Sequence, residues 1–66
     1  MHILLNGKEA PLKAGLHLLG LLEARNLSPD TVVVELNGLI IEKARYGQTL
    51  LQDKDQVEIL RFVGGG

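Results

Sequence analysis

The spacing of hydrophobic and polar positions divides this chain into short segments that change period twice. Met1 to Asn6 reads as a strand, and Asn6-Gly7 supplies a hairpin signal because both residue types tolerate positive φ. Lys8 to Lys13 is the returning strand. Pro11 within it cannot donate a ladder hydrogen bond, which predicts a sheet edge. After Gly15 the period becomes helical. Leu18, Leu21 and Leu22 fall at i, i+3 and i+4, predicting a helix from Leu18 to about Asn26 with Leu27 closing its end. His17 occupies the N-cap position, where Ser, Thr or Asp bonds a free amide better, and Gly20 costs ~1 kcal/mol relative to alanine. Such a helix depends on packing against a sheet.

Ser28-Pro29-Asp30 then forms a loop, and Thr31 to Leu36 is the most strand-like stretch, β-branched and nearly continuous. Asn37-Gly38 is a second hairpin signal, leading into Leu39-Ile40-Ile41. Glu42 to Gly47 is ambiguous and compatible with one helical turn. Thr49 to Gln52 is expected as a brief strand, Asp53-Lys54-Asp55 as a turn, and Gln56 to Phe62 as the last strand. The order is β-β-α-β-β-β. A single helix with strands before and after it needs one sheet to cover its apolar stripe. The pattern therefore predicts an α+β, β-grasp fold: a mixed, mostly antiparallel sheet of four to five strands packed on one helix.

Period-two alternation assigns the faces. With Val57 and Ile59 turned to the helix, Leu60 and Phe62 lie outside. Likewise Ile3 and Leu5 point inward, and His2 and Leu4 outward. An outer patch of Leu4, Leu60 and Phe62 is the expected partner-docking surface. The body spans residues 1–62, followed by a flexible glycine tail, residues 63–66.

Composition narrows the chemistry. The 66 residues make one small domain, and 45% hydrophobic content with two aromatic residues, Tyr46 and Phe62, implies a Leu/Val/Ile core. There is no cysteine, so disulfides, thiolate metal sites and cysteine nucleophiles are excluded. Seven basic and eight acidic side chains, interspersed, give a net charge of −1 and no basic run for nucleic acid. No segment is apolar enough to span a membrane, and the N-terminus lacks signal-peptide features, so a soluble, cytoplasmic protein is expected. His2 and His17 are isolated, and Ser28 and Thr49 have no base nearby in sequence. Asp53-x-Asp55 lacks the glycine and the final glutamate of a calcium loop. No catalytic residue, bound cofactor or metal site is expected.

The unusual group is at the end. Phe62-Val63 runs into Gly64-Gly65-Gly66, a segment without side chains that can thread a narrow cleft and present the Gly66 carboxylate. At ~3.3–3.6 Å per extended residue, Val63 to Gly66 reaches roughly 13 Å beyond the body. An ionised carboxylate is inert toward nucleophiles, so a partner must first activate it, most simply as an acyl-adenylate from ATP. The nucleophile then decides the outcome. A lysine amine gives protein tagging, and sulfide or a persulfide gives a sulfur-carrying thiocarboxylate.

A β-grasp order ending in Gly-Gly resembles the ubiquitin-like superfamily. More closely, the chain resembles the ThiS family of sulfur carriers in thiamine biosynthesis. The likeness rests on Ile3-x-Leu5-Asn6-Gly7, the Leu21-Leu22 pair, Val32-Val33-Val34-Glu35-Leu36-Asn37-Gly38, Thr49-Leu50 with Asp53-x-Asp55-x-Val57-Glu58-Ile59, and Phe62-Val63-Gly64-Gly65-Gly66. It implies that a ubiquitin-activating-like enzyme adenylates Gly66 and that a cysteine desulfurase route supplies sulfur. Gly66 then carries a C-terminal 1-thioglycine, whose sulfur passes to thiazole synthase. Gly65 and Gly66 are the functional residues by this likeness, with Val63 and Gly64 threading the partner's site. Two positions depart from the family pattern: His17 replaces a helix-start Thr or Ser, and Lys54 replaces the glycine of an Asp-Gly-Asp turn. The alternatives are the small subunit of molybdopterin synthase, which uses the same tail chemistry, and a ubiquitin-like modifier conjugated to lysine.

Overall fold

The structure, a computed structural model, describes residues 1–62. The expected tail, Val63 to Gly66, lies outside the described residues. Two hairpins frame the fold. Asn6 (φ 50°) with Gly7 (φ 82°) joins β1 (His2–Leu5) to β2 (Lys8–Pro11), and Asn37 (φ 52°) with Gly38 (φ 86°) joins β3 (Val32–Leu36) to β4 (Leu39–Ile41). Positive φ at both central residues is the geometry whose twist matches the strands it connects. The last strand, β5 (Gln56–Arg61), inserts between the hairpins to give the order β2-β1-β5-β3-β4. β5 runs parallel to β1, with Leu5 beside Val57, and antiparallel to β3, with Val34 beside Ile59. Pro11 ends β2, which is an edge strand as the sequence predicts.

Helix α1 (Leu18–Ala24) covers one face of this sheet. Its two turns are too short to be stable alone, so packing holds it. Leu18, Leu21 and Leu22 are fully buried in a cluster with Ile3, Val32, Val34, Leu51 and Val57. Burial of each such side chain contributes about 1.5–3 kcal/mol. His17 makes no side-chain cap bond, as its chemistry implies. The C-terminus is better specified. Asn26 takes φ 58°, its N–H donates to Glu23 O at 3.1 Å, and the Leu27 N–H donates to Leu22 O at 2.8 Å. These are the two bonds of a Schellman motif, and they stop the helix at Ala24, two residues before the predicted end. At Gly20 a Cβ would sit 2.8 Å from Leu16 Cδ1, so the end of that side chain would have to move to admit one. Leu16 can thus lie against the helix and join the core margin.

Two expectations from the second half of the chain are refined. Glu42 to Gly47 resolves as a 3-10 turn (Lys43–Gln48) that buries Tyr46. Thr49 to Gln52 is no strand. It makes an isolated bridge, Leu50 with His17, flanked by Leu18 N–H to Thr49 O at 2.8 Å and Leu51 N–H to Leu16 O at 3.0 Å. Its neighbour is the extended entry to α1, which turns helical before a ladder can propagate. The segment still contributes Leu51 to the core. Among the described residues no helix is long and apolar enough to cross a membrane.

Lys54 adopts φ 71°. Its N–H donates to His2 O at 2.7 Å, so the tight turn before β5 is tied to β1 despite a conformation that side-chain-bearing residues resist. Lys54→Gly should therefore stabilise the fold by about 0.5–1 kcal/mol, read as a higher midpoint in urea denaturation. A lower midpoint would show that the lysine side chain contributes more than its backbone costs.

Candidate functional site

The chain reaches residues 63–66 through β5, so what holds β5 determines where the tail begins. Along its first half the strand is bonded on both edges. Leu4 N–H donates to Asp55 O and Asn6 N–H to Val57 O, both at 2.9 Å, from β1, while Asn37 N–H donates to Gln56 O at 2.8 Å from the other side. At Asn6 the β1 backbone turns away into its hairpin, but the ladder gains one more rung. Asn6 Oδ1 accepts the Ile59 N–H at 2.7 Å, standing in for the carbonyl that β1 would have offered had it continued. Asn37 acts likewise on the opposite edge. Its Oδ1 accepts the Gln56 N–H at 2.9 Å, and its Nδ2 donates to Asp55 Oδ1 at 3.0 Å. The last bond before the tail is Phe62 N–H to Thr31 O, at 2.8 Å.

The turn leading into β5 is also tied down. Asp55 Oδ2 accepts the Gln52 N–H at 2.8 Å, and Asp53 Oδ1 accepts the His2 N–H at 2.8 Å. The bond from His2 holds the Asp53 carboxyl below the usual carboxylate range, with smaller help from Lys54 and the positive N-terminus. Elsewhere Lys43 pairs with Asp30, whose hydrogen bond and charge raise the lysine above its ordinary value. Among the described residues no group of three or more His, Cys, Asp or Glu side chains is placed to hold a metal.

α1 covers only one face of the sheet. The register puts Leu4 beside Glu9, Val33 beside Leu60, and Glu35 between Glu58 and Ile40 on the other face. Of the predicted patch, Leu60 and Phe62 are 65% and 56% exposed, whereas Leu4, at 37%, is only just so. Ile40, 69% exposed, belongs to the same face and went unnoticed in the sequence, because its side is known only once β3 and β4 are in register. The two asparagine clamps were also missed. Asn-Gly signals a turn, but nothing local shows that the amide reaches a strand 53 residues away. The predicted tail residues Val63, Gly64, Gly65 and Gly66 lie outside the described residues.

Among the described residues, the central strand leads to Phe62, the residue before the glycine-rich end of the sequence, and the sheet face opposite α1 exposes Leu60, Phe62 and Ile40. The ThiS family model matches residues 3–66, nearly the whole chain and including those glycines. The chain belongs to the ThiS family. It is 43% identical over 63 residues to the sulfur carrier protein ThiS of Bacillus subtilis, covering 94% of this chain and 96% of that one. The crystal structure of the thiamine biosynthesis protein ThiS from Geobacter metallireducens superimposes with a TM-score of 0.85 at 36% identity, over the full length of both. The chain is also 41% identical over 66 residues to a thiazole synthase of Magnetococcus marinus, and similar to another from Paramagnetospirillum magneticum. It spans about one fifth of the length of these two proteins.

Asn6→Ala removes the rung to Ile59 and places alanine at φ 50°. The expected loss is about 1–3 kcal/mol in urea denaturation. A change within a few tenths would mean that water replaces the asparagine oxygen at no cost.

Proposed function

We propose that this ThiS-family chain carries sulfur on its last glycine for the making of a thiazole ring. The Gly66 carboxylate attacks the α-phosphorus of ATP on a ubiquitin-activating-like enzyme, releasing pyrophosphate and forming an acyl-adenylate. Sulfur from a cysteine desulfurase route then attacks the acyl carbon, and AMP departs. Sulfide gives the thiocarboxylate directly; a persulfide gives an acyl disulfide, which a thiol must reduce. On thiazole synthase the sulfur passes to the acceptor, the acyl C–S bond breaks, and an oxygen from the acceptor or from water takes its place to regenerate the carboxylate. This chain supplies no catalytic group in the cycle. It supplies the acyl end and the surface by which the partners hold it.

The family match that runs through the terminal glycines carries this reading. The near-complete overlap with the Bacillus sulfur carrier supports it. The two thiazole synthases contain a segment similar to all 66 residues, and joining carrier and acceptor in one chain is what a working pair would favour. An uncovered face beside the start of the tail suits successive docking to an activating enzyme and to the synthase.

Mass spectrometry of the protein from thiamine-starved cells tests the cycle. One oxygen of Gly66 should be replaced by sulfur; ladders of larger adducts would point to conjugation instead, and an unmodified chain under every condition would refute the carrier role. Deleting Gly66 should abolish ATP-dependent adenylation while leaving thermal unfolding nearly unchanged, and a large loss of stability would contradict a tail separate from the core. Phe62→Asp should weaken docking to the synthase more than folding. A core-sized loss of ~3 kcal/mol or more in chemical denaturation would show that Phe62 is structural.

A further inference from the structure

The uncovered face carries a charge arrangement that works against folding. Glu35 and Glu58 are direct cross-strand partners on β3 and β5. The Phe62 N–H to Thr31 O and Asn37 N–H to Gln56 O bonds place them in a hydrogen-bonded pair of the same ladder. Like charges directly opposite each other destabilise a sheet. No cation relieves them: among the described residues the ion pair formed is Lys43 with Asp30, and the tail residues, Val63 to Gly66, bring no basic side chain. Arg61 alternates onto the helix side of β5, opposite Val32, and Lys54 lies across the sheet beside His2, Leu4 and Glu9. Around the two carboxylates stand Val33, Ile40 and Leu60, the last two about two-thirds exposed. The strands of this face thus carry three carboxylates, Glu9, Glu35 and Glu58, and no lysine or arginine.

We infer that Glu35 and Glu58 together receive one basic side chain, an arginine guanidinium, projecting from an apolar surface of the protein that takes up the carrier. A planar guanidinium has donors enough for both carboxylates, and its faces can lie against Leu60 and Ile40, which a hydrated ammonium does less well. Its arrival places a positive charge between two like charges, giving a carboxylate–guanidinium–carboxylate triad, while the surrounding aliphatic groups exclude water. The repulsion in the free chain keeps the site specific, since an uncharged apolar surface would bury two unpaired carboxylates on docking. That the occupant is thiazole synthase rests on the carrier reading; the chemistry the face demands does not.

The test uses the full chain and the thiazole synthase of the same organism. Glu58→Lys, which sets opposite charges against each other, and the double variant Glu35→Gln/Glu58→Gln should each raise the melting temperature by about 2–6 °C. Both should weaken binding to the synthase by roughly tenfold or more, and the salt dependence seen with the unaltered protein should flatten in the double variant. Stability and affinity moving in opposite directions is the signature, because a merely structural role would lower both. Affinity kept, affinity lost together with stability, or no binding by the unaltered protein overturns the inference. Sulfur transfer from the Gly66 thiocarboxylate of the unaltered protein, scored separately, decides the carrier reading.

Discussion

The structure depends on how β5 is held. It is the last strand in sequence and the middle one in space, and its partners come from the start of the chain, β1, and from its middle, β3. Parallel pairing with β1 ends after Leu5 because the hairpin must turn at Asn6, which would leave the strand's upper half free along one edge. The Asn6 amide closes part of that gap, and the antiparallel ladder with β3 carries on to Phe62. Val57, fully buried between α1 and the sheet, fixes the same strand from the core side. The strand that leads to the last residues therefore cannot shift without disturbing the core.

This constraint suits a protein that others act on. A small domain buries a limited share of its surface, and here the burial is concentrated on the helix side of the sheet. The other side remains available, with Leu60 and Phe62 adjoining the tail and Ile40 further out. On the proposed reading, partners hold that face while the last residues enter an active site, and docking together with the hold on β5 sets the position of the acyl end. The thiazole synthase relatives, in which a segment like this one makes up about a fifth of a longer chain, show that evolution has joined such a body to a synthase.

Much of this could be read from residue order. The β-grasp arrangement followed from two Asn-Gly turns around one leucine-striped helix, and all three asparagines take the positive φ that their places imply. The inward set, with Ile3 and Val57 fully buried, followed from alternation. What escaped depended on neighbours distant in sequence. Thr49 to Gln52 looks like a strand until its bridge partner, among the described residues, proves to be the entry to α1. Ile40 looks like any residue of a short strand until its register with Glu35 puts it on the outer face. The carboxylate pair is invisible before β5 is placed beside β3, and the asparagine clamps before it is placed beside β1. Local chemistry specifies turns and periods; pairing across the sheet decides which side chains meet.

The central claim is that β5 is as firmly held as the core while serving as the base from which the last residues leave the sheet. Native-state hydrogen exchange tests it most directly. The amides of Val57, Ile59 and Leu60 should exchange only through global unfolding, with the full denaturant dependence of that transition. Exchange of Ile59 and Leu60 through a local opening far below the global stability would show that the strand frays from its tail end, contradicting the rigid-handle account.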